Sequence, residues 1–152
     1  MTDPISFPSA TPRYSLPLLF SGQAQKEFYV NEAHALADAL LHAACEDEAA
    51  APPVDPAEGE AWLVASGATG EWAGEDGKLA ARQMGNWLFV VPRDGMRLLD
   101  RATGQVLLYN GGRQRPAAPV LPGGGSVIDA EARTAIAELI SALVDGGVLP
   151  SS

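Results

Sequence analysis

KLAARQMGNWLFVVPRDGMRLLDRATGQVLLYN, residues 78–110, decides the fold. Runs of four to six residues rich in Leu, Val, Phe and Tyr alternate with pairs that favour positive φ, namely Gly85-Asn86, Asp94-Gly95 and Thr103-Gly104. Apolar runs of this length between such turn pairs read as β-strands joined by tight hairpins. The expected strands are Lys78 to Gln83, Asn86 to Val91, Met96 to Arg101 and Gln105 to Tyr109. Working upstream, Glu60 to Ala65 adds a further strand, and Gly67 to Gly70 and Asp76-Gly77 add further turns. Residues 58–112 are therefore expected to form one small antiparallel β-domain, a meander without an exact internal repeat.

The flanks have a different character. Residues 1–22 carry Pro4, Pro8, Pro12 and Pro17, each fixing φ and removing a donor, so the segment reads as an extended arm. Its Ile5, Phe7, Tyr14, Leu16, Leu18, Leu19 and Phe20 are too apolar for a solvated tail, and docking on another surface, that of a neighbour included, is expected. Residues 23–46 lack Gly and Pro. There Tyr29, Ala33, Leu36, Leu40 and Ala43 recur at steps of four and three, the seam of a helix that packs on a coiled-coil partner or on its own β-domain. Glu46 to Pro56 is an acidic, proline-rich connector, and residues 113–125 form a Pro/Gly linker. A C-terminal helix is expected over 126–147, with Ser126 as its N-cap, Gly146-Gly147 as its stop and a wide apolar face of Ile128, Ile136, Leu139, Ile140 and Leu143. That face is expected to serve docking or oligomerisation. The fold class is α+β.

Charge and composition narrow the functions. The net charge of −9 supplies no cationic groove for a phosphate backbone, so nucleic acid is not expected as a partner. No apolar run approaches the roughly 20 residues that span a bilayer, and membrane insertion is not expected. Cys45 is the single cysteine and excludes an intrachain disulfide. Alanine fills much of the apolar class, and with 16 Gly and 12 Pro the core is expected to be thin and completed by partner subunits.

Catalytic and ligand-binding chemistry finds little support. His34, Asp38 and His42 fall on one side of the first helix, but the histidines lie about 12 Å apart along its axis, too far for one ion. Of Glu60, Glu71, Glu75, Asp76, Asp94 and Asp100 several lie in or beside turns, where carboxylates serve backbone groups more often than glycosidic chemistry. No nucleophile elbow, zinc-protease helix or phosphate loop occurs. No catalytic residue, metal or cofactor is expected, and the chain is not read as an enzyme. Trp62 and Trp87 are expected in the core, whereas Trp72, between glycine-rich turns, is the candidate for an exposed glycan contact.

The stretch PRYSLPLLFSGQAQKEFYVNEA, Pro12 to Ala33, resembles the opening of an uncharacterised domain family found in alphaproteobacterial prophages and gene transfer agents. The motif residues are Gly22, Gln23, Ala24, Gln25, Lys26, Val30, Asn31, Glu32 and Ala33. The similarity continues through Pro52 to Gly74 and Gly85-Asn86-Trp87, and the C-terminal SVIDAEARTAIAELISALVDGG resembles the closing helix of such particle proteins. The resemblance implies a spike or fibre subunit or adaptor, a homotrimer by analogy with viral fibres, joining capsid or tail to a further fibre protein. Met1-Thr2-Asp3-Pro4 carries no basic n-region, so assembly in the cytoplasm is expected, and the resemblance adds release as part of a particle. A module binding host surface polysaccharide is the alternative, and a polysaccharide-degrading enzyme the more distant one. The amides of Gln23, Gln25 and Asn31 are expected to bind backbone of the arm and fix it to the helix start.

Overall fold

The structure, a computed structural model, describes residues 9–22, 26–121, 123–124 and 129–150. The chain forms two compact units, Met1–Pro92 and Arg93–Ser152. The architecture is α+β, with two helices and two small, mostly antiparallel sheets among the described residues. Residues 58–112, expected as one β-domain, are divided between two sheets. The pattern of short runs and turns is identical on both sides of Pro92, so spacing alone carries no mark of the boundary.

In the first unit the described part of the arm is a hairpin, not an extended segment. Ala10 bridges Pro17, Leu18 N donates to Ser9 O at 3.1 Å and Thr11 N to Leu16 O at 3.0 Å. Pro12 sets the turn, and Leu18 is buried. Helix α1 runs Lys26–Leu40, shorter than the expected 23–46, whose first three residues lie outside the described ones. His42, at φ 47°, adopts the left-handed conformation that ends helices. The apolar stretch beyond it becomes β1, Ala44–Cys45, both buried.

The expected helical seam is not the buried face. Tyr29 is 73% exposed, and Leu36 and Leu40 are also exposed, while Asp38 and Ala39 are enclosed and Asn31, His34 and Ala35 half-buried. The helix turns a polar stripe inward because the hairpin arm brings backbone donors that need acceptors.

The first sheet has the order β2–β3–β4–β5, with β2 at Glu48–Ala49, β3 at Ala61–Val64, β4 at Leu79–Gln83 and β5 at Asn86–Val90. β2 lies parallel to β3, so the expected connector contributes a strand; the other pairs are antiparallel. Register places Gln83 opposite Asn86. The turn is therefore Met84-Gly85, both at positive φ (51° and 76°), one residue earlier than the sequence suggested. Alternation sends Leu79, Ala81 and Gln83 to one face of β4 and Ala80 to the other. On that second face Val64, Trp72 and Ala80 form a core flanked by Trp62, Trp87 and Phe89.

In the second unit β6 (Arg97–Asp100), β7 (Gln105–Tyr109) and β8 (Arg113–Gln114) are successive antiparallel neighbours. Leu98, Leu107 and Tyr109 are buried by strand alternation. Helix α2 spans Ala130–Asp145. Its N-cap is Asp129, whose carboxylate accepts from Ala132 N at 2.8 Å, and not Ser126, which with Ile128 lies outside the described residues. After the helix the chain returns to β7: Val106 N donates to Gly147 O at 2.6 Å, and Leu149 is buried.

Candidate functional site

Asp38 is the centre of a connected polar cluster among the described residues of the first unit. It sits in the last turn of α1 and is fully enclosed. Its Oδ1 accepts from Thr11 Oγ1 at 2.6 Å and Tyr14 N at 2.7 Å, its Oδ2 from Arg13 N at 3.1 Å and Gln83 Nε2 at 3.2 Å. Burial opposes the charge, but the Thr11 hydroxyl, the Tyr14 and Arg13 amides and the Gln83 amide outweigh it and hold the carboxyl below its ordinary value. Arg13 completes the arrangement from the other side. Its guanidinium donates to the carbonyls of Asp38 (3.0 Å), Ala39 (2.9 Å) and His42 (3.0 Å), satisfying the helix end and complementing its dipole.

Two further side chains of α1 hold the arm. Asn31 donates to Leu19 O at 3.0 Å and accepts from Leu19 N at 2.8 Å, so one amide replaces a strand neighbour. His34 Nδ1 lies 2.9 Å from Pro17 O. Gln23 and Gln25 lie outside the described residues. Of the remaining motif residues, Gly22 N donates to Glu27 at 3.1 Å, and Lys26, Glu32 and Ala33 are exposed. His34, Asp38 and His42 thus serve backbone groups or lie beside Tyr14, and no cluster of three potential metal ligands exists among the described residues.

Trp72 is the clearest correction. The expected exposed glycan contact is 0% exposed, seated in a short 3-10 turn at Gly70–Trp72. Its ring meets Trp87 edge to face at 5.1 Å. Glycine at its flanks signals a turn, and that turn folds the indole inward to fill the sheet's alanine-lined face. Trp62 and Trp87 are half-buried rather than fully in the core. The acids named as a conceivable catalytic pair serve local partners. Asp76 accepts from Gly67 N (2.9 Å) and Ala68 N (3.0 Å), bonds that hold its carboxyl below the ordinary value, Asp94 from Gly111 N (2.9 Å) and Glu60 from Ala57 N (3.1 Å). Glu71 accepts from Trp87 Nε1 at 3.1 Å, Glu75 pairs with Lys78, and buried Asp100 pairs with Arg115 at 2.6 Å.

Sequence reasoning missed a groove between α1 and the β4–β5 hairpin, about 580 Å³ in volume. Phe28, Asn31 and Ala35 line it from the helix, Met84, Trp87 and Leu88 from the hairpin. Its ionisable lining residues, among those described, are Glu27 and Glu32. Phe28 and Met84 lie off the expected seam, so no periodicity marked them.

On the second unit, α2 has no buried residue; Ile136 is 42% and Leu139 61% exposed, with Ile140 and Leu143 half-buried. A family described as "Protein of unknown function (DUF2793)" matches residues 30–115. The chain belongs to the DUF2793 family. The DUF2793 match begins inside α1, crosses the boundary between the units and stops after β8, leaving the arm and α2 outside it. No curated protein matches the chain.

Proposed function

We propose that this DUF2793 chain is a structural spike or fibre subunit or adaptor of a phage-like particle, joining capsid or tail to a receptor-binding fibre. In this reading it assembles in the cytoplasm as a homo-oligomer, threefold by analogy with viral fibres, and leaves the cell within the particle. The resemblance of Pro12 to Ala33 and of the C-terminal segment supports the particle context. The observation that carries the reading is α2. A helix with Ile136 and Leu139 exposed, Ile140 and Leu143 only half-buried and no residue fully buried presents apolar surface that a partner would stabilise by covering. Burying each such side chain is worth roughly 1.5 to 3 kcal/mol.

Replacing Ile136 and Leu139 together with Asp tests this. The double variant is expected to keep native far-ultraviolet circular dichroism and to be lost from purified particles or to fall to a lower mass in light scattering. A variant that unfolds, or that incorporates and associates like the parent chain, sinks the reading.

A further inference from the structure

The connection from β8 to α2 starts RPAAPVLP, residues 115–122, with proline at 116, 119 and 122. That period matches the three residues per turn of polyproline II, so the rings recur along one edge of such a helix. Each proline fixes its own φ near the polyproline II value and pushes its predecessor, Arg115, Ala118 or Leu121, toward the same extended region. Residues 115–121 accordingly belong to no helix, strand or turn. The near end is anchored: Arg115 pairs with Asp100 at 2.6 Å, and Pro116 O accepts from Gln105 Nε2 at 2.8 Å. Beyond that anchor the segment stands in solvent. Val120 is 95% and Leu121 55% exposed, and no backbone group of residues 117–121 has a hydrogen-bond partner among the described residues.

We infer that residues 116–122 are a docking segment that fits a groove lined by aromatic side chains on another protein. The backbone chemistry selects this occupant. Proline at every third position removes N–H groups that a strand ladder or a helix needs, so neither strand addition nor a helix-binding cleft suits the segment. Residues 116–122 carry no charge, which leaves phosphates and lipid headgroups nothing to pair with. Apolar rings and unpaired carbonyls remain, held in a conformation that loses little entropy on binding. Aromatic side chains of a groove stack on the pyrrolidines, and their hydroxyl or indole N–H groups donate to the carbonyls. With three residues per turn, Ala118-Pro119 and Leu121-Pro122 supply the two edges that enter the groove, while Ala117 and Val120 form the third edge and face away. The segment is separate from the apolar face of α2, so failure of either interface leaves the other intact.

The test titrates the isotope-labelled full chain with an SH3 domain, whose groove is aromatic, and follows backbone amide resonances. Saturable shifts are expected at Ala117, Ala118, Val120 and Leu121. An SH3 variant with the aromatic residues of its groove replaced by alanine is expected to produce none. Pro119→Ala and Leu121→Asp are each expected to weaken binding at least about tenfold, whereas Val120→Asp should bind as the parent does. All three exposed positions should leave the melting temperature at the parent's value, so that lost binding reports on the groove. The proposal is overturned by absence of saturable binding, by undiminished binding to the alanine groove, or by equal loss in Val120→Asp and Pro119→Ala. Resonances of residues 117–121 that shift with protein concentration alone also overturn it, since a second copy then covers the segment.

Discussion

Asp38 shows how one buried carboxylate can organise a segment with little apolar mass. Each of its oxygens accepts two donors, and on each oxygen one donor is a backbone N–H that cannot be reversed. In Asp38→Asn either orientation of the amide points an NH2 group at such an N–H. The variant is expected to lose about 2–4 kcal/mol in urea unfolding of the full chain. Because the folded carboxyl lies below the ordinary value of 3.8, its stabilisation is complete above that value and disappears as pH falls through the lower, folded pKa. The urea midpoint of the parent should fall between about pH 5 and pH 2. Asp38→Asn should lack that part of the fall; identical acid profiles would remove Asp38 from the account. Asn31→Leu removes the amide that replaces a strand neighbour for Leu19, at about 1 kcal/mol, and hydrogen exchange at Leu19 should accelerate.

At the scale of elements, ends matter more than interiors. α1 stops where His42 turns left-handed and Arg13 takes the final carbonyls; α2 stops at Gly146-Gly147, as its glycines foretold. Gly147 has φ 69°, and a Cβ there would lie 3.1 Å from Val106 Cγ2 and 3.4 Å from Gly104 O. Gly77 has a similar φ, 75°, but a Cβ would meet open space. Gly77→Ala should therefore cost only the backbone term, about 1 kcal/mol, and Gly147→Ala distinctly more, by thermal denaturation of the two variants side by side. Equal losses would show that the return of the chain to β7 yields easily.

At the scale of the molecule, the described residues 9–19 and 147–149 each close the unit to which they belong. The arm meets the end of α1, and the C-terminal residues meet β7, where Gln105 Nε2 donates to Val148 O at 2.9 Å and to Pro116 O at 2.8 Å. Much of the core of the first unit is alanine, namely Ala39, Ala43, Ala44, Ala61, Ala80 and Ala81, so these polar closures carry weight that larger side chains carry elsewhere. Deleting residues 147–152 removes buried Leu149 and the carbonyls that serve Gln105 and Val106. Hydrogen exchange in Gln105–Tyr109 should rise steeply while that in Leu79–Gln83 stays unchanged; protection retained in β7 would contradict this closure.

The sequence by itself determined the α+β class, the strands from β3 to β7 within a residue or two, the stop of α2 and its apolar face. These follow from local spacing, turn chemistry and the φ that glycine permits. Only the tertiary structure decided which face of α1 is buried, that the described arm folds back as a hairpin, and that Trp72 lies inside. Periodicity identifies an apolar stripe but not what will cover it. On α1 the stripe of Tyr29, Leu36 and Leu40 stayed outside because backbone donors from residues 11–19 required Asp38 and Asn31 as acceptors. The division at Pro92 and the groove between α1 and the β4–β5 hairpin were equally illegible, since both arise from contacts between segments distant in the chain, and no local pattern encodes which of two similar hairpins a helix will meet.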